Sequence, residues 1–408
     1  MSRPRVLVLS YHLPDDEDVG AFRPWMEVRL LRDLGWRVTV VTARTNYMTG
    51  RALDRRPADP DLRILRAPGL VDHRRNLLRR VLHYGLFSVG AFVLAGVATG
   101  SCSVVFVGTD PFPLVPLASG LARLKCARLV LDERDLYPET ALALGVLRPG
   151  AVSRLLGALA RRLRRRADHL LVATPGQRRR LRAEGVPEEK LTLLPNADVY
   201  LAPDAPPSTS AGDAPLPPLP EGVRRWAVYA GGYGRANDVE FLLDAFAALA
   251  DCPEVGLLMI GAGEKAPLVA RARARGANVH ALGALPRRVC RAVLAHCALG
   301  LHAYVPIPFF AEALPSKVYD YLAQGCPVLF AGTGDTADLL ARSGAGVSVP
   351  AGDRAAFVGA LRRLLVDEPE RLRPLAEAAR CWYARSIGYR ATRALFARAV
   401  DPRIESSS

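Results

Sequence analysis

Short apolar runs, each closing on a polar loop and each followed by a helical stretch, recur along this chain, and this recurrence constrains the fold most. Arg5–Ser10 (RVLVLS) and Arg37–Thr42 (RVTVVT) flank a helical segment from about Phe22 to Leu34 that stops at Gly35. Strands with so little polar alternation need cover on both faces, which a parallel sheet between two helix layers provides. Ser103–Gly108, Arg128–Asp132, His169–Ala173 and Lys190–Pro195 continue the pattern. Residues 201–222, LAPDAPPSTSAGDAPLPPLPEG, interrupt it with a Pro-, Ala- and Ser-rich linker. The rhythm then restarts at Trp226–Ala230 and runs through Val255–Ile260, Asn278–Leu282, Leu299–Tyr304, Val328–Ala331 and Gly346–Val349. At 408 residues, the expectation is two doubly wound α/β domains, 1–200 and 223–380, with helices filling 381–408. Two such domains would face a cleft with the loops at their carboxyl strand ends, where ligands bind in these folds.

Composition narrows the partners. The net charge of +15, carried mostly by arginine, favours nucleic acid, anionic lipid or phosphorylated substrates. The basic clusters are Arg74–Arg80, Arg161–Arg166 and Arg178–Arg182; neither zinc-finger spacing nor an aromatic-glycine RNA-binding signature accompanies them, which argues against nucleic acid. Arg161–Arg166 reads as a solvated helix face. The seven cysteines are dispersed without a CxxC pair, which suits reduced thiols in a cytoplasmic protein and suggests no metal site. With Val6–Ser10 already reading as core, no leader is expected ahead of it.

One segment of the first half is unusual. The basic turn HRRNLLRR precedes Val81–Ala98, an apolar stretch of about 18 residues diluted by Gly85, Gly90 and Gly96. A membrane span here would cut the first domain in two and is rejected. Two readings stay open: a helix buried on the sheet, or a partly exposed helix whose basic flank from Arg74 onward meets anionic lipid.

The candidate site centres on EALPSKVYDYLAQGCP, Glu312 to Pro327. A helix opening at Pro315-Ser316 leaves Glu312 in the preceding loop and places Asp320 about one turn inside. Its N-terminal amides, with Lys317, suit a phosphate, and the two acids suit hydroxyls. An ordinary capped surface helix is the alternative. Gly231-Gly232-Tyr233-Gly234-Arg235 follows a strand but lacks the G-x-G-x-x-G spacing, and no acid ends the next strand, so a dinucleotide reading is weak; no Walker pattern occurs. What remains is a pyrophosphate held by backbone amides around Gly232 and Gly234, with Arg235 as clamp. Gly263 and Lys265 stand in a second such loop, GAGEK. In the first half, Gly20 lies in the loop after the first strand, as does His12. Asp132, Glu133 and Asp135 form an acidic cluster at the end of another strand, and residues 45–66 read as a long irregular loop.

These residues together carry a family likeness. VLVLSYHLPDDEDVG, DLYPETALALGVLR, TPGQRRRL with GVPEEKLTLLPNADV, YAGGYGRANDVEFLLDA, GAGEK and PSKVYDYLAQGCPVLF make the chain resemble GT-B glycosyltransferases of family 4. The likeness is strongest to the bacterial branch with fucosamine transferases of polysaccharide biosynthesis. The resemblance implies two Rossmann-like domains, a nucleotide-sugar donor (UDP- or GDP-linked) on the second, an acceptor on the first, and a last helix crossing back to the first domain. It also implies retention of anomeric configuration, no bound metal and no other cofactor. Glu312 and Asp320 match the paired acids of the family's E-x7-E element, near the donor sugar and the ribose, and Gly20 matches a glycine near the phosphates. The chain departs from the pattern in three ways. Asp320 is one methylene shorter than glutamate, Phe241 stands where an Arg-x5-Lys clamp beginning at Arg235 would place lysine, and only His12 is available for the first-domain histidine. Lys317 is preferred over Lys265 as the second cation. Expected acceptors are a polyprenyl-phosphate-linked glycan at the cytoplasmic membrane face or a soluble natural product. A GT-B epimerase and a non-catalytic nucleotide-sugar-binding protein are the other classes the pattern admits.

Overall fold

The computed structural model describes residues 3–13, 22–46, 52–53, 59–69, 77–204, 214–274 and 278–401. Contacts divide the chain into two compact units, one of residues 1–195 and 390–408 and the other of 196–389.

The first unit holds a seven-stranded, all-parallel sheet of order β3-β2-β1-β4-β5-β6-β7. Its strands are β1 (Arg5–Leu9), β2 (Arg37–Ala43), β3 (Leu62–Ala67), β4 (Val104–Gly108), β5 (Arg128–Glu133), β6 (His169–Val172) and β7 (Leu191–Leu193). The helices are α1 (Arg23–Asp33), α2 (Leu77–Ala98), α3 (Leu114–Leu124), α4 (Glu139–Ala143), α5 (Ala151–Arg166) and α6 (Pro175–Ala183). The central strands are apolar and buried on both faces, as covered parallel strands must be. Strand β3 was not legible in the sequence, where residues 45–66 read as loop. It is an edge strand, LRILRA, whose arginines tolerate solvent on the open side.

The segment Val81–Ala98 belongs to α2, which is buried along one side and exposed along the other. Phe87, Ala91 and Ala95 are fully buried in the core against α3 and the sheet, while Leu82, Leu86, Val89, Val93 and Val97 are exposed. By length and composition the helix could cross a membrane. Here Tyr11, at the end of β1, hydrogen-bonds His83 at 2.7 Å and packs its ring edge-on to Phe87, which pins α2 along the sheet.

The second unit holds a six-stranded parallel sheet of order β10-β9-β8-β11-β12-β13. In chain order its elements are β8 (Arg225–Ala230), α7 (Val239–Ala247), β9 (Val255–Ile260), α8 (Ala266–Ala274), β10 (Val279–Gly283), α9 (Arg287–His296), β11 (Leu299–Ala303), α10 (Ser316–Ala323), β12 (Val328–Ala331), α11 (Asp335–Ser343), β13 (Gly346–Val349), α12 (Arg354–Arg362) and α13 (Leu372–Ser386). Helix α14 (Tyr389–Val400) then joins the first unit from Arg390 onward, where Phe396 is fully buried 5.9 Å from Phe106. The boundaries at 195 and 389 differ from the 200 and 380 read in the sequence because of hydrogen bonds that periodicity does not encode. Tyr383 Oη donates to the Asp198 carbonyl at 2.8 Å, and the Tyr389 amide donates to Asp204 at 2.8 Å, tying both segments to the second unit.

Candidate active site

In the second sheet the strand order reverses between β8 and β11, and open parallel sheets bind ligands outside the carboxyl ends of such a pair. The loops that follow β8 and β9 are zipped together there by their backbones. The Gly231 amide donates to Ile260 at 2.8 Å, Tyr233 to Ala262 at 2.9 Å and Lys265 to Tyr233 at 3.2 Å. This approach demands glycine: with φ of +144°, Gly261 would bring a β-carbon within 1.9 Å of the Gly231 carbonyl oxygen. At Gly232 and Gly234, by contrast, a β-carbon would meet open space.

Helix α10 begins at Ser316 with Pro315 as an extended N-cap, as the Pro-Ser step implied, and no side chain caps its first amides. Those amides and the positive end of the helix dipole remain available to an anion. Lys317, in the same turn, threads past Gly231, where a β-carbon would lie 2.7 Å from its Cε and 2.9 Å from Nζ. Its Nζ donates to Tyr229 Oη at 2.8 Å and Asn237 Oδ1 at 3.1 Å, and lies 4.2 Å from the centroid of the Tyr229 ring. Tyr229 Oη and Asn237 Nδ2 in turn donate to the Gly232 carbonyl, at 2.8 and 3.0 Å. Among the described residues no carboxylate pairs with this ammonium, and burial pushes it down to about 7. A buried cation held only by neutral groups is unfavourable until an anion joins it.

The remaining candidates of this unit fall around that centre or away from it. Lys265 Nζ donates to the Asn237 carbonyl at 2.8 Å, so this lysine supports the cradle. Arg235 is exposed and pairs with Glu264 at 3.5 Å. Phe241, standing where the clamp lysine would be, packs edge-on to Phe357 in the core at 5.1 Å. Glu312 is half-buried at the end of the 3-10 turn Pro308–Glu312, one residue beyond a cavity of about 300 Å³ lined by Tyr304, Pro306, Ile307, Phe310, Phe330 and Ala311. Asp320 faces α9: Arg287 reaches it at 3.5 Å and Asp198 at 3.1 Å, with Arg291 also bonded to Asp198. Burial raises the Asp320 carboxyl against the opposing pull of Arg287 and Arg291.

In the first unit, the acidic stretch after β5 separates into two roles. Asp132 and Glu133 are buried and locked inward, so they are not the accessible cluster their spacing suggested. Arg23, itself buried, donates to Asp132 at 2.7 Å and Glu27 at 3.0 Å, and Arg134 reaches Glu27 at 3.2 Å. Burial, followed by the Asp132 charge, raises Glu27 to about 8, while the Arg23 and Arg134 charges overcome burial and hold Asp132 far below its usual range. Glu133 pairs with Arg164 at 3.1 Å. Arg164 lies within the run expected to be solvated; it is buried because Glu133, Glu139 and Glu184 all converge on it.

Asp135 alone of the three reaches solvent. Protein packed about its carboxyl, together with the nearby Asp110 charge, raises it to about 6 against the pull of Arg134. His12 Nε2 hydrogen-bonds Asp110 Oδ2 at 3.0 Å, where burial of the Asp110 carboxyl is outweighed by the bond and charge of His12 and by Arg134. His12, Asp110 and Asp135 follow β1, β4 and β5, so they gather where this sheet's order also reverses. Asp110 escaped sequence reasoning because nothing local marks an Asp-Pro step as the partner of a histidine 98 residues away. Gly20 lies outside the described residues.

Comparison with known families bears on this arrangement. Residues 23–197 match the family described as glycosyl transferase 4-like domain, and residues 224–367 match the one described as glycosyl transferases group 1. The sucrose-phosphate synthase of Thermosynechococcus elongatus superposes with a TM-score of 0.74 at 16% identity, covering 100% of both chains. The chain is a GT-B glycosyltransferase. WaaG, a glycosyltransferase involved in lipopolysaccharide biosynthesis, superposes on this glycosyltransferase with a TM-score of 0.64 at 17% identity over 97% of this chain and 99% of its own. Anabaena Alr3699/HepE, solved in complex with UDP-glucose, does so with a TM-score of 0.66 at 14% identity over 98% and 99%. No curated protein matches in sequence. At such identities the superpositions speak for the fold, and the chemistry has to be argued from the site itself.

Proposed function

We propose that this glycosyltransferase belongs with the fucosamine-transferase branch of polysaccharide biosynthesis and moves a sugar from a nucleotide-diphosphate donor, most simply a UDP-sugar, to a polyprenyl-phosphate-linked acceptor. The observation that carries the donor half is Lys317, a buried ammonium without a counter-ion among the described residues, beside the uncapped start of α10 at the β8/β11 reversal. A diphosphate there gains the lysine, the α10 amides of Ser316 and Lys317 that follow Pro315, and the open approach past Gly232 and Gly234, with Arg235 and Lys265 flanking. A structural relative solved with UDP-glucose supports the base and sugar class. Glu312 would meet the donor sugar and Asp320 the ribose hydroxyls, after exchanging Arg287 for them.

Transfer with retention follows by front-face displacement. The acceptor hydroxyl bonds to the anomeric carbon on the face from which the diphosphate departs, and its proton passes to the leaving phosphate oxygen. Lys317, Arg235 and the helix dipole neutralise the charge developing on the diphosphate, the task a metal would otherwise perform. His12 with Asp110, and Asp135, would position the acceptor hydroxyls on the first unit. The exposed apolar side of α2 favours a lipid-linked acceptor over a soluble one.

The test is calorimetric titration and nucleotide release with UDP-, GDP- and dTDP-sugars, with and without lipid extract. Micromolar binding of one donor, abolished in Lys317→Ala and weakened in Arg235→Ala and Glu312→Ala, is expected. Binding of no donor would overturn the reading. Turnover equal to wild type in all three variants would overturn the site.

A further inference from the structure

We infer that the outer face of α2, α3 and α5 is a docking surface for an anionic lipid bilayer, with the apolar stripe of α2 inserted and arginines of all three helices on the headgroups. This deepens the lipid-linked acceptor reading and rests on it for its purpose, but it stands on separate residues.

Exposure along α2 is ordered. Leu82 is 60% exposed, Leu86 42%, Val89 54%, Val93 54% and Val97 86%, and their spacing of three and four residues puts them on one side of a single helix. The opposite side, Phe87, Ala91 and Ala95, is fully buried, so the helix is held flat along the sheet and presents its stripe lengthwise. At 22 residues the helix is about 33 Å long, an extended apolar ridge. The patch does not end with it. Lys125 donates to the carbonyls of Thr99 and Gly100, at 2.8 and 3.0 Å, which brings the end of α3 beside the end of α2 and adds Leu124, 76% exposed.

Charge supplies the identity of the occupant. No aspartate or glutamate occurs in α2, α3 or α5. Arg79 and Arg80 stand exposed at the start of α2, and Arg63 donates to the Ala98 carbonyl at its end. Farther along the same layer, Arg123 of α3 and Arg162 and Arg166 of α5 are exposed, and the charge of Arg162, followed by burial and the charge of Arg123, lowers the Arg166 guanidinium. Cations at both ends of an apolar ridge and clustered on the neighbouring helices, with no acid among them on these helices, match phosphate headgroups around an inserted helix. A folded protein partner would have to present acids at both ends of the ridge and beside α5 at once, whereas an anionic bilayer presents phosphates all round an inserted helix.

Flotation of the full chain with phosphatidylcholine vesicles, with and without phosphatidylglycerol, tests this. Binding to the anionic vesicles only, weakened by salt, is expected. Arg162→Gln with Arg166→Gln should lower vesicle affinity roughly 30-fold, two headgroup contacts' worth. Leu86→Asp with Val93→Asp should abolish vesicle binding while UDP-sugar affinity and thermal melting stay at wild-type values, so loss of docking is separable from loss of the donor site. The inference fails if wild type does not float with anionic vesicles or if both double variants float like wild type. It also fails if the wild type is a dimer by light scattering that the aspartate variant splits, which would make the ridge a self-association face.

Discussion

Lys317 is hydrogen-bonded to Tyr229 and Asn237, both neutral, and burial holds its ammonium at about 7 against an ordinary value of 10.5. The sign follows from linkage. Between these values the unfolded chain keeps a proton that the folded chain has given up, so stability rises with pH across the window. Integrated over a shift of this size, burying the amine costs about 4 kcal/mol at pH 7 and about 2 kcal/mol at pH 9, and almost nothing once pH exceeds the unfolded value. Lys317→Met retains the length and most of the volume of the side chain and removes the charge. The stability advantage of the variant over wild type should therefore shrink by about 2 kcal/mol between pH 7 and pH 9, whatever constant packing difference the sulfur introduces. Urea denaturation of both full-length proteins at pH 7, 8 and 9 measures the gap directly. Calorimetry on the same samples should show UDP affinity falling by about two orders of magnitude in the variant, the scale of a buried charge-assisted contact. Parallel pH profiles for the two proteins would refute the argument that an unpaired ammonium is stored here for an anion.

Three further outcomes follow from the packing around both sites. Glu27, raised to about 8, keeps its proton in the folded state after the unfolded chain has lost it, so wild type should lose about 2 kcal/mol of stability relative to Glu27→Gln between pH 6 and pH 8, read as the difference between their denaturant titrations. His302 is fully buried with no hydrogen-bond partner for either ring nitrogen among the described residues, and it stacks on Phe330 at 5.5 Å. His302→Phe should therefore stabilise the protein by roughly 1 kcal/mol in denaturant titration, because it removes unsatisfied polar atoms without changing the stack. Gly231→Ala forces a β-carbon against the Lys317 side chain at φ +151°, and should cost about 2 kcal/mol of stability while lowering UDP affinity in calorimetry.

Much of this molecule was legible in its sequence because the signals are local. Apolar runs with polar loops imply parallel strands, the Pro-rich stretch at 201–222 separates two α/β series, and Pro-Ser-Lys marks the start of α10. What escaped was decided by contacts between distant residues. Arg164 looked like one cation in a solvated run until three glutamates from other elements enclosed it. The pairing of Arg23 with Asp132 spans 109 residues, and that of His12 with Asp110 spans 98. In each, the order of strands in the sheet, rather than any spacing along the chain, chose the partner. Lys317 shows the division most plainly. The chain places a cation at a helix start, but only the close passage of that side chain beside Gly231, beneath interlocked glycine loops, buries it against Tyr229 and Asn237. Periodicity is a property of neighbours in sequence, whereas desolvation depends on everything that packs against a group, and so the tertiary structure alone buried this lysine among neutral partners.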